Sequence, residues 1–309
     1  MLSQKKQISV FNLPIGTQLV GKWNNHRYLV QGMLGKGAIG AVYLVKRTDG
    51  HLVALKISDQ MAAISSEINV LKKLAKVQGG SPGPSLFEVD DWTNAQGESY
   101  PFYTMEYIQG ERLDHFLKRN GIDWLGVLFS QLLTELEQLH HAGFVLGDLK
   151  LENVIVAKNP TRLRFIDVGG VTMFGRSVKE YTEFYDRGYW KCGDRKAEPK
   201  YDLFSLAMIA LNYVYPKQFK KTNQPKQYLL MKLKQSNLLK PYHVILQGAL
   251  LGQYQKCSEM KRDFQKTSLS RINKNRVSMM SQSDPSEPSW LEIIIFSSIS
   301  LILFVFATL

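Results

Sequence analysis

Short runs of apolar residues, separated by turn-forming residues, dominate the first third of the chain. Asp49 and Gly50 make a typical hairpin turn between two of these runs. From Ile64 to Leu74, apolar residues recur instead at three- and four-residue spacing, the period of a helix. We therefore predict a helix at 64–74 and strands at five places: 28–30, 42–45, 52–55, 87–89 and 102–105.

Beyond the break at Gln109-Gly110 the pattern becomes mostly helical. It predicts helices at 113–119, 124–141 and 201–214, with short strands at 154–156 and 163–166. A strand-rich first third followed by a helical remainder predicts an α+β fold of two lobes. The N-lobe is expected to be small and β-rich, and the C-lobe helical.

The composition is that of a globular protein. Of the 309 residues 44% are apolar, enough for one two-lobed domain with appendages. Cys192 and Cys257 form no Cys-x-x-Cys pair, so the sequence favours neither a zinc site nor an oxidising compartment. Residues 1–16 lack the apolar core of a secretory signal.

The C-terminal residues are strongly apolar. Residues 291–309 carry one charge, Glu292, at their start, and Trp290 lies where an interfacial aromatic residue is expected. At about 1.5 Å per residue, a helix of this length comes close to crossing a hydrocarbon core of about 30 Å. We expect 290–309 to be a tail anchor in the cell membrane, with the rest cytoplasmic. Residues 266–289, basic and then rich in serine and proline, are the expected juxtamembrane linker.

The net charge of +12 is concentrated in one part of the chain. Residues 216–276 carry 14 basic side chains against Glu259 and Asp263, whereas residues 1–215 carry 25 basic and 22 acidic ones. This excess predicts a polyanionic partner, either nucleic acid or lipid headgroups. The candidate polyanion-binding lysines are Lys217, Lys220, Lys221, Lys226, Lys232, Lys234 and Lys240.

The basic residues nearest the predicted anchor are typical of the cytoplasmic flank of a membrane helix. They are expected to attract anionic membrane lipids by about 1 kcal/mol each. For the lysines of 217–240, a solvated lysine face and a surface for the phosphates of duplex DNA both remain open. No recognition motif appears, so any DNA binding is expected to be independent of sequence.

A glycine-rich loop lies between two of the predicted strands. Gly35, Gly37 and Gly40 leave room for backbone N–H groups to approach nucleotide phosphates. Val42 and Ala54 are expected to cover the adenine. Lys56 ends an apolar strand, where a buried lysine needs a partner. Glu67, on the predicted helix, is that partner, and the pair is expected to orient Lys56 toward the α- and β-phosphates.

The strongest signal is a set of four polar residues at offsets of 0, +2, +5 and +19. Asp148 is the proposed base that accepts or orients the substrate hydroxyl proton, and Lys150 is expected to neutralise the transferring phosphoryl group. Asn153 and Asp167 are expected to hold Mg²⁺. Together with the glycine loop and Lys56, these residues supply what phosphoryl transfer requires.

These motifs resemble those of bacterial Hanks-type Ser/Thr protein kinases, especially the small membrane-anchored YabT-type kinases of spore-forming bacteria. The resemblance covers residues 23–265, with 1–22 as an N-terminal extension. It implies transfer of the γ-phosphoryl group of ATP to protein hydroxyls, with Mg²⁺ or Mn²⁺. It further implies self-association for autophosphorylation, regulation by DNA and a role in sporulation.

The same resemblance assigns roles to single residues. It implies that Met105 is the gatekeeper and that the backbones of Glu106 and Ile108 bind adenine. It also implies that Thr182 lies in the loop that receives the substrate hydroxyl. Thr182 is then a candidate phosphosite together with two further hydroxyl residues of this loop, Thr172 and Ser177.

The chain departs from the kinase pattern at three places. Leu146-Gly147-Asp148 replaces His-Arg-Asp, so the arginine that reads a phosphorylated activation loop is missing. Asp167-Val168-Gly169 replaces Asp-Phe-Gly, and Ala197-Glu198-Pro199 is a scrambled Ala-Pro-Glu. Regulation by loop phosphorylation is therefore not expected.

Two other functions fit parts of the sequence. The Gly-Asp form of the catalytic loop also occurs in small-molecule phosphotransferases of the aminoglycoside and choline kinase type. Those enzymes usually lack a lysine at the position of Lys150 and the complete glycine loop. A catalytically silent, membrane-tethered nucleic-acid binder is the other alternative, and the intact Lys56 and Asp148 argue against it.

Overall fold

The computed structural model describes residues 12–37, 39–76 and 83–282, and over 271–282 the helical backbone alone. The N-lobe is built on an antiparallel sheet whose six strands follow the order β1-β2-β3-β4-β6-β5. The strands are β1 Gln18–Val20, β2 Arg27–Lys36, β3 Ala41–Arg47, β4 Leu52–Ile57, β5 Leu86–Thr93 and β6 Ser99–Glu106.

All five strands predicted for the N-lobe are confirmed, and each is longer than its apolar run. Gly50 makes the turn between β3 and β4 with φ +88°, a backbone conformation that glycine adopts without strain. β1 was not predicted. It pairs with β2, so the sheet extends into the segment that the sequence analysis assigned to the N-terminal extension 1–22.

One helix, α1 Met61–Leu74, packs on this sheet beside β6. The helix prediction is confirmed, because Ile64, Ile68, Leu71 and Leu74 are all buried. Their spacing puts them on one stripe of the helix, and burial of that apolar stripe fixes the helix against the sheet. Glu67 lies on the same buried face and is 3% exposed.

The C-lobe is mainly helical. Its helices are α2 Leu113–Asn120, α3 Trp124–His141, α4 Pro199–Val214, α5 Pro225–Gln235, α6 His243–Leu250 and α7 Cys257–Gln282. The first three match the predicted helices to within about two residues. Helix α4 is buried on nearly all sides, so the other elements of the C-lobe pack around it.

Short strands connect the lobes and frame the loops between them. β9 Val154–Lys158 pairs with β10 Thr161–Phe165 and with β7 Gly110–Arg112, and β8 Phe144–Val145 pairs with β11 Thr172–Met173. The strands predicted at 154–156 and 163–166 are confirmed as β9 and β10. The loops that follow β8 and β10 carry Asp148 and Asp167.

The chain divides into two compact units between Thr267 and Ser268. The lobes described above form the first unit, and the described residues of the second, 268–282, continue α7. Within the described ranges, no helix has the length and apolar character needed to cross a bilayer. The predicted anchor 290–309 and residues 283–289 of the predicted linker lie outside the described residues, whereas residues 266–282 of that linker are helical, as part of α7.

A network of charged side chains centred on the buried Arg164 connects β10 with the end of β6 and with α3. Arg164 on β10 donates to Glu106 Oε1 at 2.6 Å and to the backbone oxygen of Gly83. Its Nε lies 3.4 Å from Glu135 Oε1 on α3, and this glutamate is 14% exposed. Burial raises the pKa of Glu135 to about 7, although Arg164 opposes the shift. Ionisation of Glu135 near neutral pH therefore lowers the stability of the folded state.

We expect Glu135→Gln to flatten the pH dependence of stability between pH 4.5 and 7. The folded state binds the proton of Glu135 more tightly than the unfolded state, so its contribution is fully present below the ordinary pKa of 4.5 and is lost as the pH rises to about 7. At pH 8 the variant should gain about 1 kcal/mol or more in free energy of unfolding. Urea titrations from pH 4.5 to 8 measure this, with Glu183→Gln at an exposed position as the control. Equal pH slopes in Glu135→Gln and wild type would contradict the argument.

Candidate active site

The register of the N-lobe sheet gathers the predicted nucleotide-binding residues on one face. Ala54 and Lys56 are two residues apart on β4 and therefore point to the same side. Val42 lies opposite Lys56 on β3, and Met105 lies opposite Ala54 on β6. Ala54 is 4% exposed and Val42 is partly buried. This arrangement is the one expected for an apolar cover over adenine.

The glycine loop joins β2 to β3 above this face. A Cβ placed on Gly35 or Gly37 would meet no protein atom within 4 Å, so both glycines border open space. A Cβ on Gly40 would lie 2.2 Å from the backbone oxygen of Ile57, so this position requires glycine for packing. The glycines thus have two roles, since Gly40 seats the loop and the other two leave room for phosphates. Residue 38 lies outside the described residues.

Lys56 forms the buried ion pair that the sequence predicted. Its Nζ lies 2.8 Å from Glu67 Oε1 and 2.7 Å from Oε2, and Tyr103 donates to Glu67 Oε2 at 2.6 Å. Asp167 Oδ1 is 3.6 Å from the same ammonium group. Burial acts to lower the pKa of Lys56, but Asp167 and Glu67 outweigh it, so the net pKa is raised. Lys56 is therefore a permanent cation at the end of β4.

The catalytic loop brings Asp148, Lys150, Asn153 and Thr182 into contact. Lys150 donates to Asp148 Oδ2, and Thr182 donates to Asp148 Oδ1 at 3.1 Å. Asn153 Nδ2 donates to the backbone oxygen of Asp148 at 3.0 Å. The base, the phosphate-neutralising lysine and the substrate-loop threonine thus form one hydrogen-bonded group. Thr182 thus contacts the carboxylate that is predicted to receive the substrate proton.

The chemistry of Asn153 and Asp167 fits a magnesium ion. An amide oxygen and a carboxylate are hard oxygen ligands, and Asp167 has a side chain that is 45% exposed and so accessible. No cluster of three or more His, Cys, Asp or Glu side chains suited to a metal occurs in the described part of the chain. A two-residue set is what magnesium uses when nucleotide phosphates and water complete its shell. The bound ion would neutralise charge on those phosphates.

Glu180 is a site residue that the sequence analysis missed. A Cβ on Gly169 would lie 3.3 Å from Glu67 Oε1, 3.4 Å from Asp167 Oδ1 and 3.6 Å from Glu180 Oε2, so three carboxylates converge on this glycine. Burial, followed by the charges of Asp167 and Glu67, raises the pKa of Glu180. No motif marks this residue, because it reaches the site through the path of its loop.

The catalytic loop is attached to helix α4 through Asp202, which is fully buried. Its carboxylate accepts the amides of Leu146 at 2.8 Å and Gly147 at 3.0 Å. His140 on α3 contributes a third bond, from Nε2 to Asp202 Oδ2 at 2.8 Å. Because a carboxylate only accepts, Nε2 carries the proton and Nδ1 accepts from the Cys257 thiol at 3.3 Å. Burial raises the pKa of Cys257, which keeps this thiol protonated.

Gly147 occupies, for a geometric reason, the position where the kinase pattern has an arginine. Its φ is +80°, and a Cβ at this position would lie 2.6 Å from the backbone oxygen of Gly170. A side chain here would be strained and would also clash with backbone. The missing arginine therefore cannot be restored by a point substitution without moving the loop.

Two other arginines organise the activation segment, residues 167–198. Arg187 is 4% exposed and pairs with Asp194 at 2.8 Å and Glu198 at 2.7 Å. Arg195 pairs with the fully buried Asp186 at 2.7 Å. The scrambled Ala197-Glu198-Pro199 therefore keeps an ion pair through Glu198. Arg187 and Arg195 are therefore already paired with carboxylates of the chain, and no phosphate group is needed to neutralise them.

The three candidate phosphosites differ in accessibility. Thr172 is 1% exposed and donates to the backbone oxygen of Gly170 at 2.9 Å, so this hydroxyl is not accessible in the described conformation. Thr182 contacts Asp148, as described above. Ser177 is exposed. Accessibility thus favours Ser177 over Thr172, and the three phosphosites stay predictions.

The hinge residues and the candidate polyanion-binding lysines lie away from Asp148. Glu106 is the last residue of β6, with its side chain bound by Arg164, and Ile108 lies in the segment that joins β6 to β7. Six of the seven lysines are exposed. Lys232 differs, because its Nζ lies 5.4 Å from the ring centres of Tyr215 and Tyr228 and 5.8 Å from that of Phe219. Its charge is thus directed at aromatic rings.

The fold and the site define a phosphoryl-transfer enzyme with two lobes, and comparison with known proteins agrees. Residues 28–285 match the protein kinase domain family. The chain is 51% identical over 253 residues to the serine/threonine-protein kinase YabT of Bacillus subtilis (strain 168). The aligned residues cover 82% of this chain and 75% of that protein. It is 32% identical over 148 residues to the serine/threonine-protein kinase cek1 of Schizosaccharomyces pombe, covering 46% of this chain and 11% of that protein.

A solved structure supports the fold assignment. The structure of vaccinia related kinase 3 superposes with a TM-score of 0.63 at 15% identity, and the match covers 87% of this chain and 95% of that one. The chain belongs to the protein kinase domain family. It is an ATP-dependent serine/threonine protein kinase, and it uses a divalent metal ion as that family does.

We expect Lys56→Ala and Asp148→Ala each to lower the rate of phosphoryl transfer by about a hundredfold or more. The first removes the cation that orients the phosphates, and the second removes the group that receives the hydroxyl proton. Transfer of labelled phosphate from ATP to a generic acceptor protein measures both. Lys46→Ala, at an exposed position on the neighbouring strand β3, is the control. Wild-type rates in purified Asp148→Ala protein would refute the assignment of the base.

We expect the dephosphorylated enzyme to keep its turnover to within about twofold, because Arg187 and Arg195 are already paired with carboxylates of the chain. The experiment treats the enzyme with a phosphatase, verifies the mass of the intact protein and measures initial rates. Arg187→Met should instead lower activity even when phosphorylated. Strict dependence on a phosphate within residues 170–185 would contradict this account.

Proposed function

We propose that this serine/threonine kinase is attached to the cell membrane by residues 290–309 and is stimulated by duplex DNA bound to lysines of residues 217–240. Mg²⁺ is the proposed metal ion, because the two oxygen-donor side chains of Asn153 and Asp167 suit a small hard cation. Proteins with accessible serine or threonine hydroxyls are the substrates, and a second copy of the chain is one of them.

The observation that carries the DNA proposal is an uncompensated basic surface. Residues 203–258 contain no Asp or Glu but eight lysines. We call six of these the lysine surface, namely the exposed Lys217, Lys220, Lys221, Lys226, Lys234 and Lys240. Among the described residues, none of the six forms an ion pair. Free lysines release counterions from a polyanion when they bind it, and this release favours sequence-independent binding of DNA.

The relative from Bacillus subtilis supports the kinase activity and leaves its regulation open. Residues 291–309 support the membrane attachment, because they are apolar and directly follow Trp290. Basic residues lie on the N-terminal side of this stretch, as on the cytoplasmic flank of a membrane helix. A membrane-attached kinase that responds to DNA would act on substrates near nucleic acid that lies at the membrane. The kinase domain is proposed to face the cytoplasm, where ATP and DNA are available.

We expect duplex DNA to bind with a dissociation constant that rises steeply with salt. If about six phosphates are neutralised, log K should fall against log salt with a slope of roughly −5. Replacing Lys217, Lys220, Lys221 and Lys226 together by alanine should weaken binding and flatten the slope to roughly −2. It should leave kcat without DNA, measured at saturating acceptor protein, unchanged. Fluorescence anisotropy with two unrelated duplexes, using the full chain in uncharged detergent, measures this.

The matched control removes four exposed lysines elsewhere: Lys46, Lys72, Lys118 and Lys158. It loses the same charge but should keep the salt slope of the wild type. Failure of the wild type to bind DNA at low salt, together with tight binding of anionic vesicles through the same lysines, would assign the lysine surface to lipid.

We expect deletion of residues 290–309 to move the kinase from the membrane fraction to the supernatant without loss of turnover. The apolar stretch is the feature that supports insertion, and the catalytic residues lie in a separate compact unit. Carbonate extraction followed by an activity assay of both fractions measures this. Retention of the truncated chain in carbonate-washed membranes would contradict the anchor.

A further inference from the structure

The loop between α4 and α5, which we call the lysine loop (residues 215–224), carries three lysines of the lysine surface and two partly buried rings, Tyr215 and Phe219. Phe219 lies between Lys217 and Lys220 in sequence and is partly buried. Its ring centre is 5.2 Å from that of Phe184 and 5.4 Å from that of Trp190. The loop that presents lysines to solvent is therefore packed, through its one phenylalanine, on residues of the activation segment.

The residues that Phe219 contacts belong to what we call the acceptor segment (residues 182–190). This segment is tied internally by the bond from Trp190 Nε1 to the backbone oxygen of Phe184, at 2.9 Å. Phe184 is two residues from Thr182, whose hydroxyl donates to Asp148 at 3.1 Å. Tyr185 accepts the amide of Leu151 in the catalytic loop at 3.2 Å. A shift of Phe184 must therefore reach both Thr182 and the catalytic loop.

The positive charges of the same region are also bound to its rings. Lys221 Nζ lies 4.2 Å from the ring centre of Tyr189, in the acceptor segment. Lys232, on α5, lies near the rings of Phe219, Tyr215 and Tyr228, as described above. A cation over the face of an aromatic ring is attracted by the negative charge of that face. An anion that binds Lys221 competes with Tyr189 for the same ammonium group, so anion binding and the position of the acceptor segment are linked.

We propose that the lysine loop positions the acceptor segment through Phe219, so that an anion bound to its lysines changes the binding of the protein substrate and not that of ATP. The role of DNA as that anion rests on the proposed function, whereas the positioning role of Phe219 does not. The predicted nucleotide-binding residues lie in the glycine loop, on β3, β4, β6 and α1, and just after β6, and none of them contributes a ring to the contacts of Phe219. Phe219 is thus a positioning residue that acts through Phe184 and Thr182.

The experiment compares Phe219→Leu with Phe219→Tyr in the full chain, in uncharged detergent and with dephosphorylated casein as the acceptor. Phe219→Leu removes the ring contacts and should raise the KM for casein by about threefold to tenfold while the KM for ATP stays unchanged. Phe219→Tyr keeps the ring and should behave as the wild type. Phe87→Leu removes an exposed ring on β5 and is the control for the loss of an aromatic side chain.

The same proteins are measured with duplex DNA. Phe219→Leu should bind DNA as the wild type does, because its lysines are intact. DNA should no longer stimulate its kinase activity, because the ring contacts between the lysine loop and the acceptor segment are lost. Should Phe219→Leu fold poorly, Lys221→Met at its exposed position removes the cation over Tyr189 and should change the KM for casein by about twofold or more without DNA. A wild-type KM for casein in both variants, or equal changes in the KM for ATP, would overturn the inference. Wild-type protein that ignores DNA contradicts the proposed function alone, since the KM for casein still decides the role of Phe219.

Discussion

The burial of one positive charge determines how the N-lobe of this kinase must be arranged. Lys56 is 9% exposed, and an ammonium group so far from water is stable only beside negative charge. Glu67 supplies that charge from α1, and Tyr103 holds the glutamate by a hydrogen bond at 2.6 Å. The position of α1, the register of β4 with β6 and the direction of Lys56 toward the phosphates are therefore parts of one requirement.

The C-lobe satisfies a similar requirement around Asp202 and the activation segment. A fully buried carboxylate accepts the amides of Leu146 and Gly147 and a bond from His140, and His140 is bonded in turn to Cys257. In the activation segment, Arg187 and Arg195 are satisfied by carboxylates of the chain. The catalytic group is thus held in place by charges that are always present. This leaves regulation to surfaces outside the loop, and the lysine loop is the surface whose packing reaches the acceptor segment.

Much of this could be predicted from the sequence because the signals were local. Three- and four-residue spacing marked α1, short apolar runs on either side of Asp49-Gly50 marked β3 and β4, and fixed offsets from Asp148 marked Asn153 and Asp167. What could not be predicted depends on pairing between distant segments. β1 is a strand because β2 offers it an edge, Glu180 joins the site because of its loop path, and His140 meets Cys257 across 117 positions. Lys232 belonged to a basic run by sequence, yet three rings surround its charge.

A double-mutant cycle on Lys56 and Glu67 tests the central claim most directly. Single-turnover phosphoryl transfer is measured for wild type, Lys56→Met, Glu67→Gln and the double variant. If Glu67 acts by holding Lys56, the double variant is no slower than Lys56→Met, because the second change removes a partner that no longer has a function. Losses that multiply, so that the double variant is slower than Lys56→Met by the full factor of Glu67→Gln, would show that the two residues act independently and would contradict the account.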